Sequence, residues 1–194
     1  MKIIDISQEL YSSVVFPGDT PPMPRRVMSI SSGDAINLTD VTMCVHNGTH
    51  VDAPCHFIDG APSVDQLDLQ RFVGTADVIS VHGAANAEAL ARLIPSDCKR
   101  LLIRGADYIT ADAARLIVER GILLVGVESQ SVGNPKSPRE THLILLSSNV
   151  AIIEGLRLKN APDSRYFLFA APINMGGSDG APCRAVLISD ITLI

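Results

Sequence analysis

The second half of the chain alternates two kinds of segment, and this alternation limits the fold more than any other feature. Residues 100–104 are a short apolar run followed by Gly105. Thr110 stands where a helix N-cap is needed. The segment 111–120 behind it places Ala114, Leu116, Ile117 and Val118 at helical spacing, with Gly121 as its stop. Residues 122–127 are continuously apolar, the pattern of a strand buried on both faces. A further helix is expected over 139–146 and a further strand over 150–153. Strands alternating with helices in this way predict parallel strands joined by crossovers. Other runs add strands at 3–6, 37–43, 76–81, 166–171 and 185–188, and an alanine-rich helix over 84–93 that Pro95 ends. The segment 16–22 is dense in turn formers and reads as a loop. With no repeat or linker in 194 residues, the expectation is one α/β domain over 1–194 with a mixed β-sheet.

The stretch VHNGTHVDAPCHF, residues 45–57, holds three of the five histidines: His46, His50 and His56. Asp52 lies among them. Imidazole with carboxylate suits zinc, manganese or iron in the divalent state. On an extended backbone, His46, Gly48, His50 and Asp52 would share one face, with Gly48 leaving space for an ion or substrate. Val45, Val51 and Ala53 would take the other face, as in a half-buried strand. Pro54 would interrupt pairing and let His56 aim elsewhere. Surface histidines on a polar edge strand are the plain alternative, and the clustering argues against it. Of the remaining histidines, His82 reads as a strand-end or loop residue, and His142 sits on the helix expected over 139–146. Glu154 ends the apolar strand at 150–153, where a carboxylate is costly unless it is exposed, paired or liganded.

Composition removes several function classes. The net charge is −5 and Lys/Arg never cluster beyond two adjacent residues, so no nucleic-acid partner is expected. No apolar run approaches the roughly 18 residues of a membrane span. The N-terminus lacks a secretory pattern and the four cysteines lack CxxC spacing. Reduced thiols and a cytoplasmic location are therefore expected. Cys44 and Cys55 flank the histidine window and stay open as metal contacts.

The run His46-x-Gly48-Thr49-His50-x-Asp52-x-Pro54-x-His56-Phe57 resembles the metal-dependent cyclase family, which includes bacterial kynurenine formamidases and isatin hydrolases. Phe16-Pro17-Gly18-Asp19, Glu128 to Val132, His142 followed by Glu154, and Gly180 to Ala185 extend the resemblance along the chain. It implies a swivelling β/β/α fold and a homodimer or larger homo-oligomer. It also implies a two-ion zinc site, with manganese as an alternative, held by His46, His50, Asp52, His142 and Glu154. Asp52 and Glu154 would bridge the ions, and His56 would donate and accept protons.

Two bridged cations lower the pKa of a water toward neutrality, and the departing amide nitrogen needs a proton that His56 would supply. The implied reaction is hydrolysis of a small amide, foremost N-formyl-L-kynurenine. Opening of a cyclic amide or lactone such as isatin is the alternative, and a metal-binding protein without turnover is another. Phe16 stands where the formamidases carry an aromatic, typically Trp, against the substrate ring. Phe57 reads as core beneath the site, and residues 176–180 read as a flexible loop beside it. Glu128, where the family often has aspartate, and residues 131–135 depart from the formamidase pattern.

Overall fold

The computed structural model describes residues 1–189, so residues 190–194 of the expected single domain lie outside the described residues. In chain order the elements are β1 (Lys2–Asp5), β2 (Met23–Met28), β3 (Leu38–Thr42), β4 (His50–Asp52), β5 (Val73–Ala85), α1 (Ala87–Leu93), β6 (Arg100–Ile109), α2 (Ala111–Glu119), β7 (Leu124–Val127), α3 (Arg139–Ser147), β8 (Ala151–Glu154), β9 (Ser164–Phe169), β10 (Gly180–Pro182) and β11 (Val186–Ser189).

Among the described residues, nine strands form one sheet in the order β1-β11-β9-β5-β6-β7-β8-β4-β10. Strands β5 to β8 run parallel and are linked in turn by α1, α2 and α3. The outer strands are antiparallel, so the sheet is mixed, as expected. It curls on itself. Ser7, just past β1, bridges Leu156, just past β8, and the Arg157 amide donates to the Ile6 carbonyl at 2.8 Å.

Strand parity divides the core in two. Leu101, Ile103, Val125, Val127 and Ile152 pack with Ile117 and Leu145 on the helix side. Leu102, Leu124 and Ile153 point into the curl, with Ile4, Phe72 and Leu168. Each side supplies the apolar burial that holds a sheet of this kind, at roughly 25 cal/mol per Å² removed from water. The same parity decides where the polar side chains of β4 and β8 emerge.

Several expectations shift. Helix α1 begins at Ala87, not at 84, because β5 continues through His82 to Ala85 and pairs Ala84 and Ala85 with Tyr108 and Ile109. Strand pairing thus overrides the helix propensity of alanine, and His82 is an exposed residue inside a strand rather than at its end. Thr110 does stand at the N-cap of α2, but its hydroxyl donates to the Ala85 carbonyl at 3.1 Å. Strand β3, within the expected 37–43, pairs with β2 alone and not with the main sheet. These two strands form an arm on which Met23, Val27, Leu38 and Val41 remain exposed. Among the described residues no helix is long and apolar enough to cross a membrane.

Candidate active site

The histidine window is not one extended strand. His46 lies in a turn, fixed where the Asn47 amide donates to the Cys44 carbonyl at 3.1 Å and the Cys44 amide donates to the Thr20 carbonyl at 3.2 Å. Only His50 to Asp52 is strand, and His56 closes a single 3-10 turn that Pro54 opens. The expected shared face therefore holds for His50 and Asp52 and fails for His46. Gly48 also departs from expectation. It adopts φ +71° in the turn before β4 and packs against Leu10, outside the histidine-lined cavity.

Register builds the buried part of the site. His50 pairs with Glu154 across β4 and β8, and Val51 pairs with Ile153. Since Ile153 and Val51 point into the curl, His50, Asp52 and Glu154 must point to the helix side. There α3 presents His142. All four are almost fully buried.

The backbone fixes both imidazoles. Nδ1 of His50 lies 3.1 Å from the Gly48 carbonyl and Nδ1 of His142 lies 2.8 Å from the Pro138 carbonyl. Carbonyls only accept, so each Nδ1 carries the hydrogen and each Nε2 faces the carboxylates. Nε2 of His50 is 3.5 Å from both Asp52 Oδ1 and Glu154 Oε2. Nε2 of His142 is 3.2 Å from Glu154 Oε1 and 3.6 Å from Asp52 Oδ2. The remaining capacity of Glu154 Oε1 goes to the Val132 amide, at 2.7 Å.

Two carboxylates this deeply buried require positive charge. Among the described residues no Lys or Arg ion pair reaches either. Among the described residues Asp52 Oδ2 also finds no hydrogen-bond partner, although it is buried. Burial alone would push His50 toward the neutral form. Hydrogen bonds and charge from Asp52 and Glu154 outweigh it and raise the pKa to about 10. His142 is raised in the same way, against burial, chiefly by Glu154. Burial works to raise the Asp52 carboxyl, yet His46 and His50 hold it well below the usual carboxylate range. An orphaned oxygen among buried imidazole nitrogens and carboxylates is a donor set that fits a divalent cation. His50, Asp52 and Glu154 offer ligand atoms within 4.8 Å of one another, and so do His46, Asp52 and His56. Asp52 belongs to both groups. The expected ligand residues are thus brought together, and His56, expected outside the metal sphere, lies within the second group.

The second group sits at the rim. His46 Nδ1 is 3.0 Å from Asp52 Oδ1, and its ring stands 4.1 Å from that of His56. A cavity of about 200 Å³ opens over both groups, lined also by Phe16, Asp19, Gln130 and Ser131. A larger hollow of about 440 Å³, lined by residues such as Asp5, Tyr11 and Arg184, lacks the converging imidazoles. Phe57 is not core alone: it lines the smaller cavity and stacks on His142 with centroids 4.2 Å apart. Cys44 and Cys55 join neither ligand group. Glu128 is turned away from the cavity and accepts from the Gly105 and Leu158 amides at 2.9 and 2.8 Å.

Sequence reasoning missed Asp179. Its Oδ2 is 3.1 Å from His46 Nε2 and 3.2 Å from His56 Nδ1. The available signal was a lone carboxylate in the glycine-rich segment 176–180, immediately before β10. Asp19, Gln130 and Ser131 lay inside recognised motifs but carried no assigned role.

Residues 4–104 match the family model described as "Putative cyclase", and the chain belongs to this cyclase family. Among its relatives is the kynurenine formamidase of Bacillus anthracis, 33% identical over 96% of this chain and 97% of that protein. A solved structure described as a predicted metal-dependent hydrolase from Bacillus stearothermophilus is 27% identical, with TM-score 0.82 over 96% of this chain and 97% of the other. Isatin hydrolase A from Labrenzia aggregata shares the fold, with TM-score 0.85 over 97% of this chain and 94% of the other, at 22% identity.

Proposed function

We propose that this chain is a metal-dependent amidohydrolase that converts N-formyl-L-kynurenine to L-kynurenine and formate. The observation that carries the reading is the buried convergence of His50, His142, Asp52 and Glu154 around an unpartnered carboxylate oxygen. It gains its substrate from the full-length relationship to kynurenine formamidase. His46, His50, Asp52, His142 and Glu154 would hold the metal, and the nitrogen-and-oxygen donor set suits zinc, with manganese the alternative. A divalent cation bound there supplies Lewis acidity, acidifying a water and polarising an amide carbonyl.

The protein's own groups do the rest. Asp52 and Glu154 hold charge in place behind the cavity, and the Gly48 and Pro138 carbonyls keep His50 and His142 in one tautomer. His56, exposed at the rim, takes a proton from the attacking water and returns it to the departing nitrogen. Phe16 offers an aromatic face to the substrate ring. A passive metal site has no use for a proton carrier at its mouth, which disfavours a non-catalytic protein.

A homodimer or larger assembly follows from the same reading, and the exposed arm of β2 and β3 is apolar enough to enter such an interface. Four free thiols suit a reducing cytoplasm. The test is an absorbance assay on N-formylkynurenine and isatin side by side, with elemental analysis of protein purified without added metal. Turnover of the formamide with bound zinc or manganese is expected. Metal with no turnover of either substrate would sink the reading, and preference for isatin would reassign it.

A further inference from the structure

We propose that Asp179 is a positioning residue that sets the tautomers of His46 and His56 through one carboxylate oxygen. The proposal rests on the hydrolase reading above, in which His46 binds the cation and His56 moves the proton. Asp179 Oδ2 faces Nε2 of His46 at 3.1 Å and Nδ1 of His56 at 3.2 Å. A carboxylate only accepts, and one of its oxygens has lone pairs for two donors. Both facing nitrogens therefore carry hydrogens. With a cation bound beside Asp52, His46 would keep its hydrogen on Nε2 and leave the lone pair of Nδ1, 3.0 Å from Asp52 Oδ1, for the ion. His56 is left with a free Nε2, the nitrogen that can accept a proton. The two rings lie 4.1 Å apart and tilted by 31°, so each also limits the other's rotation.

The carboxylate is not needed to hold its own segment. The Ala53 amide donates to the Asp179 carbonyl and the Val64 amide to the Ser178 carbonyl, both at 2.9 Å. Gly180 pairs with Asp52 in the sheet. The Asp179 side chain is 49% exposed, and its ion-pair partners are the two site histidines. Main chain fixes the segment and the side chain serves the imidazoles.

The experiment compares wild type, D179A, D179N, H56A and the H56A/D179A double variant at saturating metal, with metal content measured for each. D179A should lose about 10–100-fold in kcat with metal retained, the usual scale for a group that orients a ligand or shuttle. KM should stay within about twofold, because the contact is not to substrate. D179N should recover part of the loss, since its amide oxygen still accepts. The double variant should be slower than H56A by less than the full D179A factor, because part of the Asp179 effect runs through His56. Imidazole ¹⁵N NMR of the metal-free and loaded protein should find His56 protonated at Nδ1 in wild type and mixed in D179A. Wild-type kcat in D179A, losses that multiply in the double variant, or an unchanged His56 tautomer would each overturn the proposal. If wild type itself hydrolyses nothing, the hydrolase reading fails, and the NMR still decides the Asp179 contact. Should D179A not fold, the near-isosteric D179N carries the same comparisons.

Discussion

His46 and His50 stand four residues apart and belong to two different kinds of structure. His50 is on a strand, with Asp52 beside it, Glu154 across the ladder and His142 on the helix above. His46 is in a turn, with His56 on one 3-10 turn and Asp179 on the segment before β10. The first group is buried, and main-chain carbonyls set both imidazoles. The second group is partly open, and side-chain carboxylates set its rings. Rigid elements hold position better than loops, whereas loops give access. On the proposed reading the buried half would concentrate charge and keep a cation, and the rim half would admit substrate and exchange protons. Asp52 belongs to both.

Replacing Asp52 with Ala should therefore break both halves at once and gives the largest expected effect. It removes the carboxylate that His46, His50 and His142 all face. Activity should fall by at least about three orders of magnitude, the scale seen when one member of a catalytic unit is removed. Bound metal by elemental analysis should fall with it. Retained metal with residual turnover would mean that the halves do not share Asp52.

Metal withdrawal separates the halves by stability. If the cation sits chiefly in the buried half, dialysis against chelator should lower the thermal midpoint. The free-energy loss is about 2.7 kcal/mol where metal had stood at a hundred times its Kd. Glu154→Gln should abolish most of that difference, because Gln supplies no charge against His142 and His50. An equal chelator response in wild type and E154Q would move the cation toward the rim.

This division also explains how much was legible in the sequence. The shared face of His50 and Asp52 follows from period-two alternation, and the apolar runs at 122–127 and 150–153 foretell the strands that frame them. His142 and Glu154 were joined to the window only through family resemblance, since nothing local announces a contact between α3 and β4. The rim was harder. His46 breaks the alternation because its turn is tied to Thr20, a contact that no local pattern encodes. Phe57 reads as core because it is apolar, yet stacking on His142 places it at the cavity wall. Asp179 escaped because β10 is three residues long and its neighbours are turn formers. The extension of β5 through 82–85 was hidden by alanine, whose helix preference lost to pairing with β6.

Gly180→Ala presses on the His46 ring first and on the β4 main chain between His50 and Asp52 second. A Cβ there would lie 2.7 Å from His46 Cε1 and 2.9 Å from the Val51 carbonyl. The His46 ring must shift, at a cost of about 1–3 kcal/mol for overpacking of this kind. A lowered thermal midpoint and a reduced kcat are expected, with the chelator response largely kept. Complete loss of that response would show that the buried donors keep no cation unless His46 is seated, which would erase the distinction between the halves.

Phe16→Ala should have the smallest effect and tests the outermost layer of the rim. Phe16 is 38% exposed and lines the cavity without belonging to either ligand group. An aromatic pair is worth about 0.5–1.5 kcal/mol beyond its buried area, so KM for N-formylkynurenine should rise about 2–10-fold. Since the ring contacts substrate equally before and during the reaction, kcat should be unchanged. A formamide lacking the aryl ring should be indifferent to the substitution. A fall in kcat with unchanged KM would instead make Phe16 part of the proton-handling geometry around His56, and the rim would then be as tightly constrained as the strand-borne half.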